Sequence, residues 1–236
     1  MRRRALFGLL VLASAVLGVG LWAGLAPHQA RVAAQTVAGA IAPPAPPAPA
    51  ELSGPLAGVL AAAEAQIGVT RRYAPAYAKL AFPGGDIDPT EGVCTDVVIR
   101  ALRTGAGVDL QLAVNRDMKA DFGAYPKIWG LKSTDRNIDH RRVPNLETFF
   151  TRLGAKKMLG TGPDDFLPGD IVTSRLPGNL PHIMVVSARR SPAGVPLVIH
   201  NIGAGTREED ALFEYPLTAQ FRLTTEALAR LEALGR

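Results

Sequence analysis

The hydrophobic rhythm of this chain changes partway along, and that change most limits the folds open to it. "PGDIVTSRL", "HIMVVSARR" and "PLVIHNIG" are short runs rich in Val and Ile, separated by Pro and Gly. They read as strands, with "SPAG" as the hairpin turn between the last two. "YPLTAQFRL" reads as a further strand, which Pro216 directs to a sheet edge. The patterns before them are helical. "PLAGVLAAAEAQIG" has Ser53 ahead of it as a cap, Pro55 in its first turn and Gly68 past its end. A second helix starts at Cys94 and places Val97, Val98, Ala101 and Leu102 on one face. "LQLAVNRDMKADF" and "PNLETFFTRLG" follow, the latter with Pro144 at its start and Gly154 at its end. "TTEALARLEALGR" closes the chain as a helix. Helices first and strands second predict an α+β fold, with N-terminal helices packed on a small antiparallel sheet.

The domain plan follows from the N-terminus. Arg2, Arg3 and Arg4 precede an uncharged run from Ala5 to Ala26. Residues 1–34 therefore read as a signal peptide or a membrane anchor. Cleavage near Ala26 or after Ala34 and retention as an anchor both remain open. Residues 35–51 form an Ala/Pro-rich linker of polyproline character. Residues 52–236 are enough for one domain with its own core. Both outcomes at the N-terminus put that domain outside the cytoplasm, in the periplasm or cell envelope. Any membrane contact runs through the N-terminal segment alone. The formal charge of +5 owes four units to Arg2, Arg3, Arg4 and Arg31, with no acid before Glu51. The remaining chain is nearly neutral and shows no basic stripe, so nucleic acid is not expected as a partner.

Cys94 is the only cysteine. In an exported chain a lone thiol is a buried small hydrophobe, a bridge to another chain, or a nucleophile. Its place after a Gly-containing turn and at a helix start favours the nucleophile, because the N-terminal amides and dipole stabilise a thiolate. Such a thiol needs a base. Of the four histidines, His182 opens one predicted strand and His200 closes the next, while His140 sits in a polar loop. A hairpin brings His182 and His200 to one face. Cys94, His182 and His200 also suit zinc by ligand type, but a helix-start thiol suits a nucleophile better, and no metal or cofactor is expected.

The order of a helix-start Cys, "PGDIV", a His opening a strand and "VIH" ending the next resembles the NlpC-type cell-wall endopeptidases of the papain-like superfamily. That resemblance implies a papain-like fold, with Cys94 as nucleophile, His182 as general base and His200 as the orienting residue. Asn201 is the alternative third member, since Asn serves in papain-like proteases. The chain departs from the endopeptidase pattern at the nucleophile, where Val93-Cys94-Thr95 stands in place of Asp-Cys-Ser. From about Arg72 to Leu223 the sequence is also similar to the domain-of-unknown-function 1287 (YijF-like) family. The motifs are "FPGGDIDPTEGVCTDVVIRALR", "NIDHRRVPNL", "LPGDIV", "LPHIMVV" and "IHNIG". Together these resemblances imply an exported cysteine hydrolase acting on peptide amides of peptidoglycan. A non-enzymatic envelope binding module and a lipid acyl hydrolase or transferase are the alternatives, and an apolar cleft above Cys94 would favour the lipid reading. Asp86, Asp96, Arg141 and Arg142 are weaker candidates for substrate contact. Arg141 and Arg142 have the geometry to clamp a carboxylate. A structural Asp–Arg network and a helix-capping Asp96 are the competing readings. Tyr73, Tyr77 and Trp129 are candidates to line a cleft.

Overall fold

A computed structural model describes residues 54–236. The readings of residues 1–34 and 35–51, and the Ser53 cap, lie outside the described residues. Five α-helices are described: α1 (Pro55–Glu64), α2 (Cys94–Ala106), α3 (Leu110–Ala120), α4 (Val143–Arg152) and α5 (Thr225–Gly235). β1 (Arg72–Tyr73) and β2 (Glu91–Gly92) form a short parallel pair. The main sheet contains β3 (Lys156–Lys157), β4 (Ile171–Leu176), β5 (Leu180–Arg190), β6 (Pro196–Asn201), β7 (Thr206–Glu209) and β8 (Leu217–Phe221). Its order is β3-β8-β4-β5-β6-β7, antiparallel throughout. The expected helices over a small antiparallel sheet are therefore present.

Two details differ from expectation. The first helix stops at Glu64, and single turns carry the chain on to Val69. β8 is not an edge strand, because it pairs with β4 on one side and with two-residue β3 on the other. Pro216 sits just before the strand, where its missing N–H breaks no ladder, and its carbonyl accepts the Arg175 amide at 3.0 Å.

Side-chain alternation assigns the two faces of the sheet. Ile171, Ile183, Val185, Ile199, Ala219 and Phe221 join the helices in the larger core. Val172, Met184, Val186 and Val198 join Phe166, Ala211 and Leu212 in a smaller core. The sheet is thus buried on both faces. That explains why "IMVV" is continuously apolar rather than alternating. α2 lies at the centre of the larger core through Val97, Val98, Ala101 and Leu102. It packs on α1 backbone to backbone: a Cβ on Gly58 would lie 2.5 Å from the Gly105 carbonyl oxygen. This close approach fixes α2, and with it the position of its first residue, Cys94.

Candidate functional site

α2 begins at Cys94, and Val93 is its N-terminal flanking residue. Asp96 fixes this start. Its carboxylate accepts the Val93 amide at 2.7 Å and takes Arg141 on both oxygens, at 2.9 and 2.8 Å. The two side chains are nearly inaccessible, at 3% and 4%. Arg141 also reaches the Ala74 carbonyl. Asp96 and Arg141 are therefore spent on each other and on the backbone, which agrees with the structural reading of both. Arg142 pairs with Asp139 at 3.1 Å and lies over the Trp129 ring at 4.2 Å. The network joins α2 to the 3-10 turn at Asp139–Arg141, both within the helical half, and does not reach the sheet.

The sheet side of the site is a split. Residue pairs between β5 and β6 run from Arg190↔Pro196 to Val185↔Ile199. Nearer His182, hydrogen bonds go to the start of α2 instead. The Ile183 amide donates to the Cys94 sulfur. The Asn201 side-chain amide donates to the Gly92 carbonyl at 3.0 Å. Asn201 is thereby a clamp that ties β6 to the segment before Cys94. His200, by contrast, lies against His182: His182 Nε2 and His200 Nδ1 are 2.8 Å apart, with the rings edge to face. His200 Nε2 lies 3.1 Å from Glu209 Oε2. His182 and His200 are each 1% exposed, and Glu209 8%.

Glu209 was not among the sequence candidates. It ends β7, a strand that the acid-rich "TREED" concealed, and it faces Val198 across the β6–β7 ladder. The signal available was the "GAG" turn after "VIHNI", which returns the chain antiparallel. The carboxylate decides the tautomers. With Glu209 ionised, its carboxylate only accepts and His200 Nε2 carries the proton. Neutral His200 then accepts at Nδ1, so His182 donates from Nε2. This leaves the lone pair of neutral His182 on Nδ1.

A cleft of about 220 Å³ opens onto Cys94. Tyr73, Trp129, Ile138, Arg141, Arg142 and Pro181 are among its lining residues. Pro181 and Ile183, the two neighbours of His182 in the chain, both border the surroundings of the thiol. Burial pushes the Cys94 thiol up to about 11, more than the Ile183 amide lowers it, and the Asp96 carboxylate raises it further. The helix-start thiolate anticipated from the sequence is thus replaced by a neutral thiol. Tyr73, also in the cleft, is raised to about 12 by burial and by Cys94 and Asp96, so its phenol stays a donor. Tyr77 is not in the cleft wall and bonds Asp135 and Asn137.

Asp86 does not join the site. Arg100 binds both of its oxygens at 2.9 Å and Arg103 adds a third contact. The "PGD" aspartate, Asp170, is also structural, holding Arg222 at 2.7 Å through each oxygen. His140 is 2% exposed and away from the cleft lining. Among the described residues no group of three or more His, Cys, Asp or Glu is arranged to hold a metal ion. His182 and His200 meet as donor and acceptor, not as two lone pairs converging on a cation.

Fold and site together define a class: α+β proteins in which a helix-start thiol borders a strand whose histidine begins a buried His–His–Glu series across three strands. The chain belongs to the family described as "Domain of unknown function (DUF1287)", whose model matches residues 60–223. It is 52% identical over 160 residues to "Uncharacterized protein YijF" of Escherichia coli (strain K12), covering 68% of this chain and 78% of that protein. No solved structure matches.

Proposed function

We propose that this protein is a cysteine hydrolase of the cell envelope, with Cys94 as nucleophile, and that its substrates are peptide amides of peptidoglycan. The observation that carries this reading is the hydrogen-bonded series His182–His200–Glu209, which starts on the strand whose Ile183 amide donates to the Cys94 sulfur. It directs a basic lone pair to His182 Nδ1 and supplies a carboxylate to balance the imidazolium that forms. The resting thiol is neutral, so His182 acts as general base during attack rather than holding a preformed ion pair. The thiol proton passes to His182, the sulfur–carbon bond forms, and the carbon–nitrogen bond breaks as His182 returns the proton to the amine. Water then hydrolyses the thioester through the same base and restores the thiol. The Cys94 backbone N–H and the Tyr73 hydroxyl are the donors assigned to the oxyanion; losing one such donor typically costs about 3 kcal/mol.

Residues 1–34 and 35–51 supply the export signal or anchor and the tether in this reading. Peptidoglycan as substrate rests on the likeness to cell-wall endopeptidases. The wall of the cleft supports a second reading. Val93, Ile138, Val143, Pro144 and Pro181 make it largely apolar, which suits a short acyl segment of a lipid ester. Its volume lies below the range usual for pockets enclosing a drug-sized ligand.

One experiment separates the readings. Full-length protein in detergent is incubated with purified sacculi and, separately, with phospholipid micelles, each beside Cys94→Ala. New muropeptides that depend on Cys94 support the amidase. Fatty acid release that depends on Cys94 transfers the mechanism to lipid esters. Unchanged profiles in both, from a protein that melts like a folded domain, leave the binding-module alternative.

A further inference from the structure

We propose that a second site, independent of the thiol cleft, binds a small acidic ligand through its carboxylate or phosphate group. The site is a cavity of about 490 Å³ between α3 and the segment 131–137. That volume falls in the range of small-molecule pockets and exceeds what a bare inorganic anion fills. Lys119, Lys132 and Arg136 all line it. All three are exposed, and none forms an ion pair with a described residue. Arg136 lies over the Phe82 ring, 5.5 Å from its centroid, which orients the guanidinium without neutralising it. Asp135 is the sole acid in the lining, and its carboxylate already accepts from Tyr77, the Asn137 amide and the Asn137 side chain. Three cations around one cavity give it a positive potential that an acidic ligand lowers.

The second observation is Asn115, which also lines the cavity. It is 4% exposed, yet its amide has no hydrogen-bond partner among the described residues. Its polar atoms open onto the cavity rather than onto a protein partner, so their pairing falls to whatever fills that space. Asn115 and Lys119 are four residues apart on α3 and share a face. The helix thus presents an unpartnered amide and a cation to the same space, and Ser133 and Thr134 add hydroxyls from the opposite wall. A water would satisfy the amide alone and leaves the three lining cations without a shared partner. An acidic ligand accepts from the cations and hydroxyls and fills the pairing of the amide.

The test is calorimetric titration of the full chain in detergent with inorganic phosphate and, separately, with glutarate. It is run at low ionic strength because exposed charges are screened by salt. The expected result is saturable one-site binding of at least one probe, and the tighter probe names the acidic group. Lys132→Gln and Asn115→Leu should each weaken that binding tenfold or more. Lys156→Gln with Lys157→Gln, on exposed β3, should change it less than twofold. Lys132 is on the surface, so its variant stays informative even if Asn115→Leu does not fold; melting curves check both. Absence of saturable binding for both probes overturns the proposal. So does an equal loss in the β3 control, which would mark nonspecific charge attraction. The outcome is independent of any hydrolase activity, because no residue of the thiol cleft is altered.

Discussion

A single carboxylate orders the chemistry of its neighbours here. With Glu209 ionised, it accepts from His200, His200 in turn accepts from His182, and the order leaves both imidazoles protonated at Nε2. Nitrogen-15 NMR of the histidines at pH 7 should therefore report the Nε2–H tautomer for both His182 and His200. A His200 protonated at Nδ1 would reverse the series and remove the base from His182. The thiol gives a second residue-scale prediction. Because burial raises Cys94 from 9.0 to about 11, its iodoacetamide alkylation at pH 7 should be about 100-fold slower than that of an unperturbed thiol. The rate should climb about tenfold per pH unit from pH 7 through pH 9. A plateau at pH 6–7 would instead reveal a preformed thiolate–imidazolium pair and contradict the neutral resting form. Cys94 was legible in the sequence because it opens α2. His182 and His200 were expected to open and close their strands and lie instead one or two residues inside them, as the third residue of β5 and the next to last of β6. Glu209 was not legible, since an acid in "TREED" looks like a solvated surface until β7 is seen to pair with β6.

At the scale of elements, α2 is the part on which the site depends, and its start is held by a buried ion pair. The helix itself was legible, from the apolar spacing of Val97, Val98, Ala101 and Leu102. The role of Asp96 was only half legible. Local capping is a sequence-near property, whereas the Arg141 partner comes from 45 residues away through a 3-10 turn. The bond of Asp86 to Arg100 and Arg103, only 14 and 17 residues on, was hidden for another reason, because a loop acid gives no sign of which helix it will meet. Breaking a buried pair strands a charge and typically costs about 3–5 kcal/mol. Arg141→Met leaves Asp96 buried without its cation, so urea unfolding should show a loss near that size. The double variant Asp96→Asn, Arg141→Met should recover part of it, because neither charge is then stranded. If the single and double variants lose stability equally, the pair is not what fixes the helix start.

On the scale of the molecule, the sheet separates two cores, and burying both of its faces brings polar groups inside with the apolar ones. The α+β class was legible from the order of the elements, but the second core was not. Phe166, Ala211 and Leu212 belong to connecting segments whose packing follows from the topology rather than from any local pattern. His140 shows the consequence for pH. It is 2% exposed, its Nδ1 has no partner, and burial with the Arg141 charge nearby lowers its pKa from 6.5 to about 3. Below pH 6.5 the unfolded chain takes up a proton at this residue that the folded chain refuses. Stability from His140 is therefore complete above pH 6.5 and declines as pH falls toward 3. Each unit of that window is worth up to about 1.4 kcal/mol, or roughly 5 kcal/mol in all. Asp139 opposes this, since burial raises its pKa and lets the folded state accept a proton in acid. Comparison with His140→Gln cancels Asp139 and the surface carboxylates, which titrate in both proteins. Urea unfolding at pH 7, 5 and 4 should show the parent losing stability more steeply than the variant, with the gap widening at each step. Parallel losses would mean that His140 is protonated in the folded protein and that the decline in acid comes from carboxylates alone.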